Sequence, residues 1–188
     1  MTPLCEIALK YGTDKVFRRD VGQPNGGYSA HDYTTEYHEI LKDRDVRKVL
    51  EVGIGEKKFS APSLRMWAEY FPSAEIYGCD IDSSVFIDDN PRIHCFHCDQ
   101  SNTMSLNQVG RITGGNLDLI VDDGSHRIEH QKLTFTMLFP LLNKGGVYII
   151  EDIDRVQEVA KAIHVPYTVY KPHVPERLMD HRIIVVKE

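Results

Sequence analysis

From about residue 46 to the end of the chain, apolar runs of strand length alternate with amphipathic stretches of helix length, a pattern of repeated β-α units on a parallel sheet. Strands are expected near residues 47–52, 75–80, 92–97, 117–122, 146–151, 166–171 and 182–187. Helices fall between them at 60–71, with Pro62 in the first turn where its missing N–H leaves nothing unpaired, and at 103–112, 127–140 and 153–163. The fold class is therefore α/β, a doubly wound, seven-stranded, mostly parallel sheet. Two helical stretches, about 3–11 and 30–42, precede it, joined by Val21-Gly-Gln-Pro-Asn-Gly-Gly27, a loop or lid candidate. The 188 residues leave room for one domain, divided into an N-terminal helical or lid segment (1–45) and a core (46–188).

Charge narrows the partners. Twenty-two Lys and Arg face 28 Asp and Glu, for a formal net charge of -6, so the footprint of a nucleic-acid or anionic-membrane binder is absent and small-molecule or glycan chemistry gains weight. The N-terminus meets a charge every few residues and offers neither a signal peptide nor a spanning segment, so a cytoplasmic location is expected. Cys5, Cys79, Cys95 and Cys98 suit reduced thiols better than a disulfide scaffold.

In a doubly wound sheet, ligands bind beyond the carboxyl ends of the strands. The first of these ends, Val49-Leu-Glu51-Val-Gly53-Ile-Gly55, is a glycine turn whose missing Cβ atoms admit a nucleotide-like ligand. A dinucleotide fingerprint needs a third glycine where Lys58 stands, which weakens an NAD-linked reading. Glu51 with Gly53 and Gly55 suits a cationic cofactor bearing an amino acid, such as S-adenosylmethionine, and resembles the class I methyltransferase motif E-x-G-x-G.

At the second strand end, Asp80 is the better candidate for the ribose hydroxyls and Asp82 the near alternative, with capping at Ser83-Ser84 the competing role. Asp99, after the third strand, either meets the adenine edge or caps the following helix.

The fourth and fifth strands end in Asp122-Asp123-Gly-Ser-His126 and Glu151-Asp152-Ile-Asp154. Carboxylates gathered on one rim repel each other unless a cation or proton compensates them, and oxygen-only ligation suits Mg²⁺ or Mn²⁺. His126, three residues past Asp123, is placed to act as a general base.

Together these segments resemble the metal-dependent sugar O-methyltransferases typified by the macrocin and mycinamicin enzymes. The shared pieces are V-D-D-G-S-H at 121–126, H-Q at 130–131, L-F-P-L-L-N-K-G-G-V-Y-I-I-E-D at 138–152 and the glycine turn. Upstream, Tyr11-Gly-Thr-Asp14-Lys15 and His31-Asp-Tyr33-Thr-Thr-Glu-Tyr37 are also similar, so the likeness spans about residues 8–154.

The resemblance implies metal ligation by Asp123, Glu151 and Asp152 and proton abstraction by His126. It turns Asp122 toward the methionine end of the cofactor or into support for the turn. The implied activity is methyl transfer from S-adenosylmethionine to a sugar hydroxyl of a glycoside or glycan. The antibiotic-tailoring members carry an added N-terminal domain that has no counterpart here, so the acceptor need not be a macrolide. A catechol-type O-methyltransferase is the near rival, although its Asp-Asn pair and lysine base differ from Glu151-Asp152 and His126. A non-catalytic nucleotide-binding module or an NAD-linked oxidoreductase would leave the acidic rim unexplained.

Other motifs carry less. His126-Arg-Ile-Glu129-His130 matches a zinc-protease pattern but opens at a β-α strand end rather than in that fold. His94-Cys95-Phe-His97-Cys98 splits its ligands between two faces of a strand. Trp67 and Tyr70-Phe71 read as core, whereas Tyr28, Tyr33 and Tyr37 flank the lid and are placed to cover cofactor or acceptor. Pro166, Pro172 and Pro175 mark an irregular connection, a place for substrate or for a second subunit of a homo-oligomer.

Overall fold

The computed structural model describes residues 1–17, 31–171 and 183–187. The lid candidate with Tyr28, and the segment holding Pro172 and Pro175, lie outside them. Two helices, α1 (Pro3–Tyr11) and α2 (Tyr33–Leu41), come first. There follow β1 (Lys48–Val52), α3 (Pro62–Tyr70), β2 (Glu75–Asp80), β3 (Ile93–His97), α4 (Thr103–Thr113) and β4 (Leu117–Asp122). The chain continues through α5 (Ile128–Leu138), β5 (Leu142–Ile150), α6 (Val156–Ala160), β6 (Tyr167–Tyr170) and β7 (Ile183–Lys187).

The strands line up in the order β3-β2-β1-β4-β5-β7-β6. Parallel pairing joins the first five, while β7 runs antiparallel to β5 and β6 antiparallel to β7. The parallel part of the sheet is thus five strands wide. The strand order reverses between β1 and β4, which sets the switch point at the glycine turn.

Side-chain alternation explains the layers. Val49, Ile76, Leu119, Val121, Val147 and Ile149 face one side, where α1, α2 and α3 cover them. Leu50, Val52, Cys79, Ile120, Tyr148 and Ile150 face the other, under α4, α5 and α6. Local chemistry ends the helices where expected. Thr2 caps α1 by accepting from the Cys5 N–H at 3.2 Å, and Gly12 closes it in a left-handed conformation with its N–H on the Ala8 carbonyl at 2.9 Å. Asn102 caps α4.

Four helices are shorter than the sequence suggests, α2 and α3 by trimming at both ends and α6 and α5 for reasons the backbone shows. In place of 153–163 the helix is Val156–Ala160, because beyond it the Ala162 and Ile163 N–H groups bond three residues back, to Val159 and Ala160. Similarly, α5 gives way after Leu138 to a 3-10 turn through Pro140.

Candidate active site

Register aligns the rim. Val52 pairs with Cys79 and with Asp122, and Asp122 with Ile150, so Gly53, Asp123 and Glu151 step off three adjacent strands at one level. Backbone bonds continue past the strands: Gly53 N–H to Cys79 O at 2.8 Å, Asp123 N–H to Val52 O at 2.8 Å and Glu151 N–H to Asp122 O at 3.0 Å. Gly53 is required there. Its φ is +93°, and a Cβ would lie 2.0 Å from the Asp123 carbonyl oxygen. His126 and Asp152 also hold left-handed backbones, at φ 54° and 52°, a strained state for residues other than glycine.

A cavity of about 510 Å³ opens above these strand ends. Of the residues expected to bind cofactor, Gly53, Gly55, Asp80 and Asp99 line it. Asp80 ties the turn together, accepting from the Ile54 N–H at 2.8 Å and the Asp82 N–H at 2.9 Å. Asp99 lines the wall and closes a local turn, accepting from the Ser101 N–H at 2.9 Å and hydroxyl at 2.6 Å, whereas the cap of the following helix is Asn102.

Three expected cofactor residues are not part of the cavity wall. Asp82 serves as a cap, accepting from the Ser84 N–H and hydroxyl, both at 2.9 Å. Glu51 shares the parity of Val49 and is fully buried on the α3 side, where its Oε2 accepts from Trp67 Nε1 at 2.8 Å. Asp122 shares the parity of Ile120 and is buried on the opposite side, its Oδ1 accepting from Gln100 Nε2 at 2.5 Å. Burial drives the Asp122 carboxyl up to about 8, against the pull of the Gly124 N–H and Gln100.

Two of the three expected metal ligands, Asp123 after β4 and Asp152 after β5, meet beside His126, whereas the third, Glu151, turns both its oxygens to Lys15. Asp123, Glu151, Asp152 and His126 all line the cavity. Asp123, His126 and Asp152 each offer one ligand atom, and these lie within 4.8 Å of one another. His126 Nε2 is 3.9 Å from Asp123 Oδ1 and 3.8 Å from Asp152 Oδ2.

Behind this triad stands a layer that sequence reasoning missed. Lys15, 1% exposed, places its Nζ on Asp123 Oδ2, 2.8 Å from both oxygens of Glu151 and 3.3 Å from Glu51 Oε1. Burial alone would lower its pKa, but Asp123, Glu151 and Glu51 hold it well above the ordinary lysine value. Tyr33 donates to Asp152 Oδ1, and Tyr37 to Glu151 Oε1 at 2.6 Å. Both rings are fully buried, so they brace the rim instead of covering the cavity as the sequence suggested.

His31 stacks on Tyr33 with centroids 4.9 Å apart and sets its Nδ1 3.4 Å from Asp152 Oδ1. Three carboxylates, those of Glu51, Asp123 and Glu151, thus share the ammonium of Lys15, while Asp152 is held by Tyr33 and His31. Burial and the neighbouring Asp123 raise the Glu151 carboxyl well above its usual range despite Lys15.

The sheet order and the cavity at its switch point define a protein with the Rossmann-like fold of class I methyltransferases. An O-methyltransferase from Bacillus cereus, solved with SAH, shares that fold at a TM-score of 0.61 and 15% identity, over 100% of this chain and 92% of that one.

In sequence, the chain resembles the sugar O-methyltransferases of the macrocin and mycinamicin type. It is 36% identical over 157 residues to the 8-demethyl-8-alpha-L-rhamnosyl tetracenomycin-C 2'-O-methyltransferase of Streptomyces olivaceus, which covers 80% of this chain and 37% of that protein. It is 38% identical over 156 residues to the mycinamicin VI 2''-O-methyltransferase of Micromonospora griseorubida, covering 80% of this chain and 36% of that protein. The MycE methyltransferase of the mycinamycin biosynthetic pathway, solved with Mg, SAH and mycinamycin VI, superposes at a TM-score of 0.67 with 27% identity, over 97% of this chain and 53% of that one. The chain therefore spans a little over a third of the length of these curated relatives, at 37% and 36%. No protein-family model matches it. No helix among the described residues is long and apolar enough to cross a membrane.

Proposed function

We propose that the chain is a cytoplasmic, divalent-metal-dependent O-methyltransferase that moves a methyl group from S-adenosylmethionine to a sugar hydroxyl of a glycoside or glycan. The observation that carries this reading is the meeting of Asp123, His126 and Asp152, within 4.8 Å of one another, in the cavity that holds the glycine turn. Carboxylate oxygens gathered at neighbouring strand ends fit a hard divalent cation, Mg²⁺ or Mn²⁺. The relatives support it too, as methyltransferases acting on sugars, one of them solved with Mg and SAH.

In this reading Asp123, Glu151 and Asp152 hold the cation, which when bound lowers the pKa of an acceptor hydroxyl. Gly53, Gly55, Asp80 and Asp99 seat the cofactor, whose sulfonium supplies an already activated methyl. His126 takes the hydroxyl proton at Nε2 as the new O–C bond forms and the C–S bond breaks, its electron pair staying on sulfur. Fixed by β4 and α5, the histidine also holds the oxygen in line, and this positioning contributes much of the rate. A second reading rests on the closeness of His126 Nε2 to both carboxylates, which makes it a ligand in place of the base.

Calorimetry with SAH, with and without Mg²⁺, on the native chain, Asp123→Asn and Glu151→Gln tests the proposal. Cofactor binding with a separate metal event lost in both variants supports it, and no SAH binding overturns it. Methylation of a rhamnose-type glycoside in preference to a catechol separates the sugar reading from the catechol rival. For His126→Asn, turnover falling about 10²–10⁴-fold with metal affinity kept assigns the base, whereas lost metal affinity assigns a ligand.

A further inference from the structure

Lys15 is the buried charge that the proposed chemistry does not use. It is anchored at both ends. Its carbonyl accepts from the Tyr33 and Thr34 N–H groups, at 3.0 and 3.1 Å, satisfying the start of α2 where Asp32 makes no side-chain cap. Its N–H is held by Thr13 Oγ1 at 3.3 Å. The side chain then crosses to the rim and joins carboxylates from three strand ends: Glu51 on β1, Asp123 after β4 and Glu151 after β5.

It also divides Asp123. Oδ2 meets the ammonium, while Oδ1 is the oxygen on the His126 side. Asp152 is divided the same way, with Oδ1 taken by Tyr33 and Oδ2 on the His126 side. One oxygen of each aspartate is thus committed to the protein and the other is presented beside the histidine.

We propose that Lys15 is the internal counter-cation of the rim: its ammonium clamps Glu51, Asp123 and Glu151 together before any divalent ion arrives. The inference rests on the metal-dependent reading of the site and deepens it. Folding of the native chain then needs no metal, because a cation of the chain's own already offsets the repulsion among the three strand ends. Substituting Lys15 by a neutral residue of similar length transfers that task to the bound ion. Three carboxylates left facing one another, those of Glu51 and Glu151 buried, attract a divalent cation more strongly, so metal affinity rises while metal-free stability falls.

The test is thermal unfolding of the native chain and Lys15→Met in EDTA and in Mn²⁺, with Mn²⁺ affinity read by electron paramagnetic resonance. In EDTA, K15M is expected to melt roughly 10 °C below the native chain, as befits unpaired buried charge. Mn²⁺ returns most of that loss and binds K15M about tenfold more tightly than the native chain. A purely structural lysine would lower the melting temperature equally in both conditions. K15M as stable as the native chain in EDTA, a loss that Mn²⁺ does not return, or weaker Mn²⁺ binding each overturns the proposal.

Should K15M not fold in either condition, the readout moves to Lys15→Met combined with Glu51→Gln, which removes one charge of each sign. Tighter Mn²⁺ binding by that double variant than by the native chain supports the role, and equal or weaker binding overturns it. A native chain that binds no Mn²⁺ defeats the metal reading itself, whereas native binding with a metal-insensitive K15M defeats only the role of Lys15.

Discussion

The indole N–H of Trp67 donates to Oε2 of Glu51 at 2.8 Å, and both side chains are fully buried. The other oxygen of that carboxylate meets Lys15, so a helix facing the sheet is fastened to the charge system of the site. Rings continue the connection, Tyr37 lying 5.7 Å and Phe71 6.1 Å from the tryptophan, centroid to centroid. Trp67→Phe keeps an aromatic ring and removes the donor, leaving a buried carboxylate oxygen short of a partner. The expected loss is about 1–3 kcal/mol in urea unfolding. An unchanged midpoint would mean that the bond contributes nothing.

Gly53→Ala acts through the backbone. A methyl 2.0 Å from the Asp123 carbonyl cannot be accommodated without moving the turn that carries Asp123, and the φ of +93° adds strain for any L side chain. Destabilisation above about 4 kcal/mol is expected, with loss of SAH binding in calorimetry. A variant with native melting temperature and native affinity contradicts the close approach.

Tyr33→Phe removes the hydroxyl that holds Asp152 Oδ1. With that bond gone the carboxylate is held less firmly, and Mn²⁺ affinity should fall roughly tenfold, the equivalent of one lost hydrogen bond to a charged group. This is opposite in sign to the effect expected for K15M, and equilibrium dialysis of the two variants side by side reads the contrast directly.

Asp122 gives the folded chain a pH dependence. Its carboxyl sits at about 8 when folded against 3.8 for the free side chain, so the folded state binds its proton more tightly. The stability it contributes is complete below about pH 4 and is lost as the pH rises toward 8. Asp122→Asn carries no proton to lose. In EDTA, its melting temperature should fall less between pH 5 and pH 8.5 than that of the native chain, and parallel profiles would rule Asp122 out as the titrating group.

Much of this architecture is legible in the residues themselves. Runs such as Leu117-Asp-Leu-Ile-Val121 are apolar on both faces because both faces are covered by helices, which is why the parallel strands stand out. The acidic rim is legible because Asp122-Asp123 and Glu151-Asp152 each follow such a run directly. Glu51 is found by its motif, but its direction follows from parity with Val49, which turns it away from the cavity toward Trp67. Tyr33 and Tyr37, one helical turn apart, stand beside a glycine-rich loop and so look like covers, yet burial of that face of α2 points them at the rim. Lys15 stands in an upstream segment that carries the resemblance, but its role could not be read. A lysine in a polar turn looks solvated, and its partners Asp123 and Glu151 lie 108 and 136 residues further along.

That separation has a consequence during synthesis. Lys15 leaves the ribosome 136 residues before Glu151, which at about 5–20 residues per second means roughly 7–27 seconds in which the ammonium has no partner on the fifth strand. Helices α1 and α2 can form early from local contacts, but the lysine between them stays hydrated until β4 and β5 have emerged and paired. The site therefore cannot close before the fifth strand is made, and a nascent chain stalled before residue 151 carries the glycine turn without a finished rim.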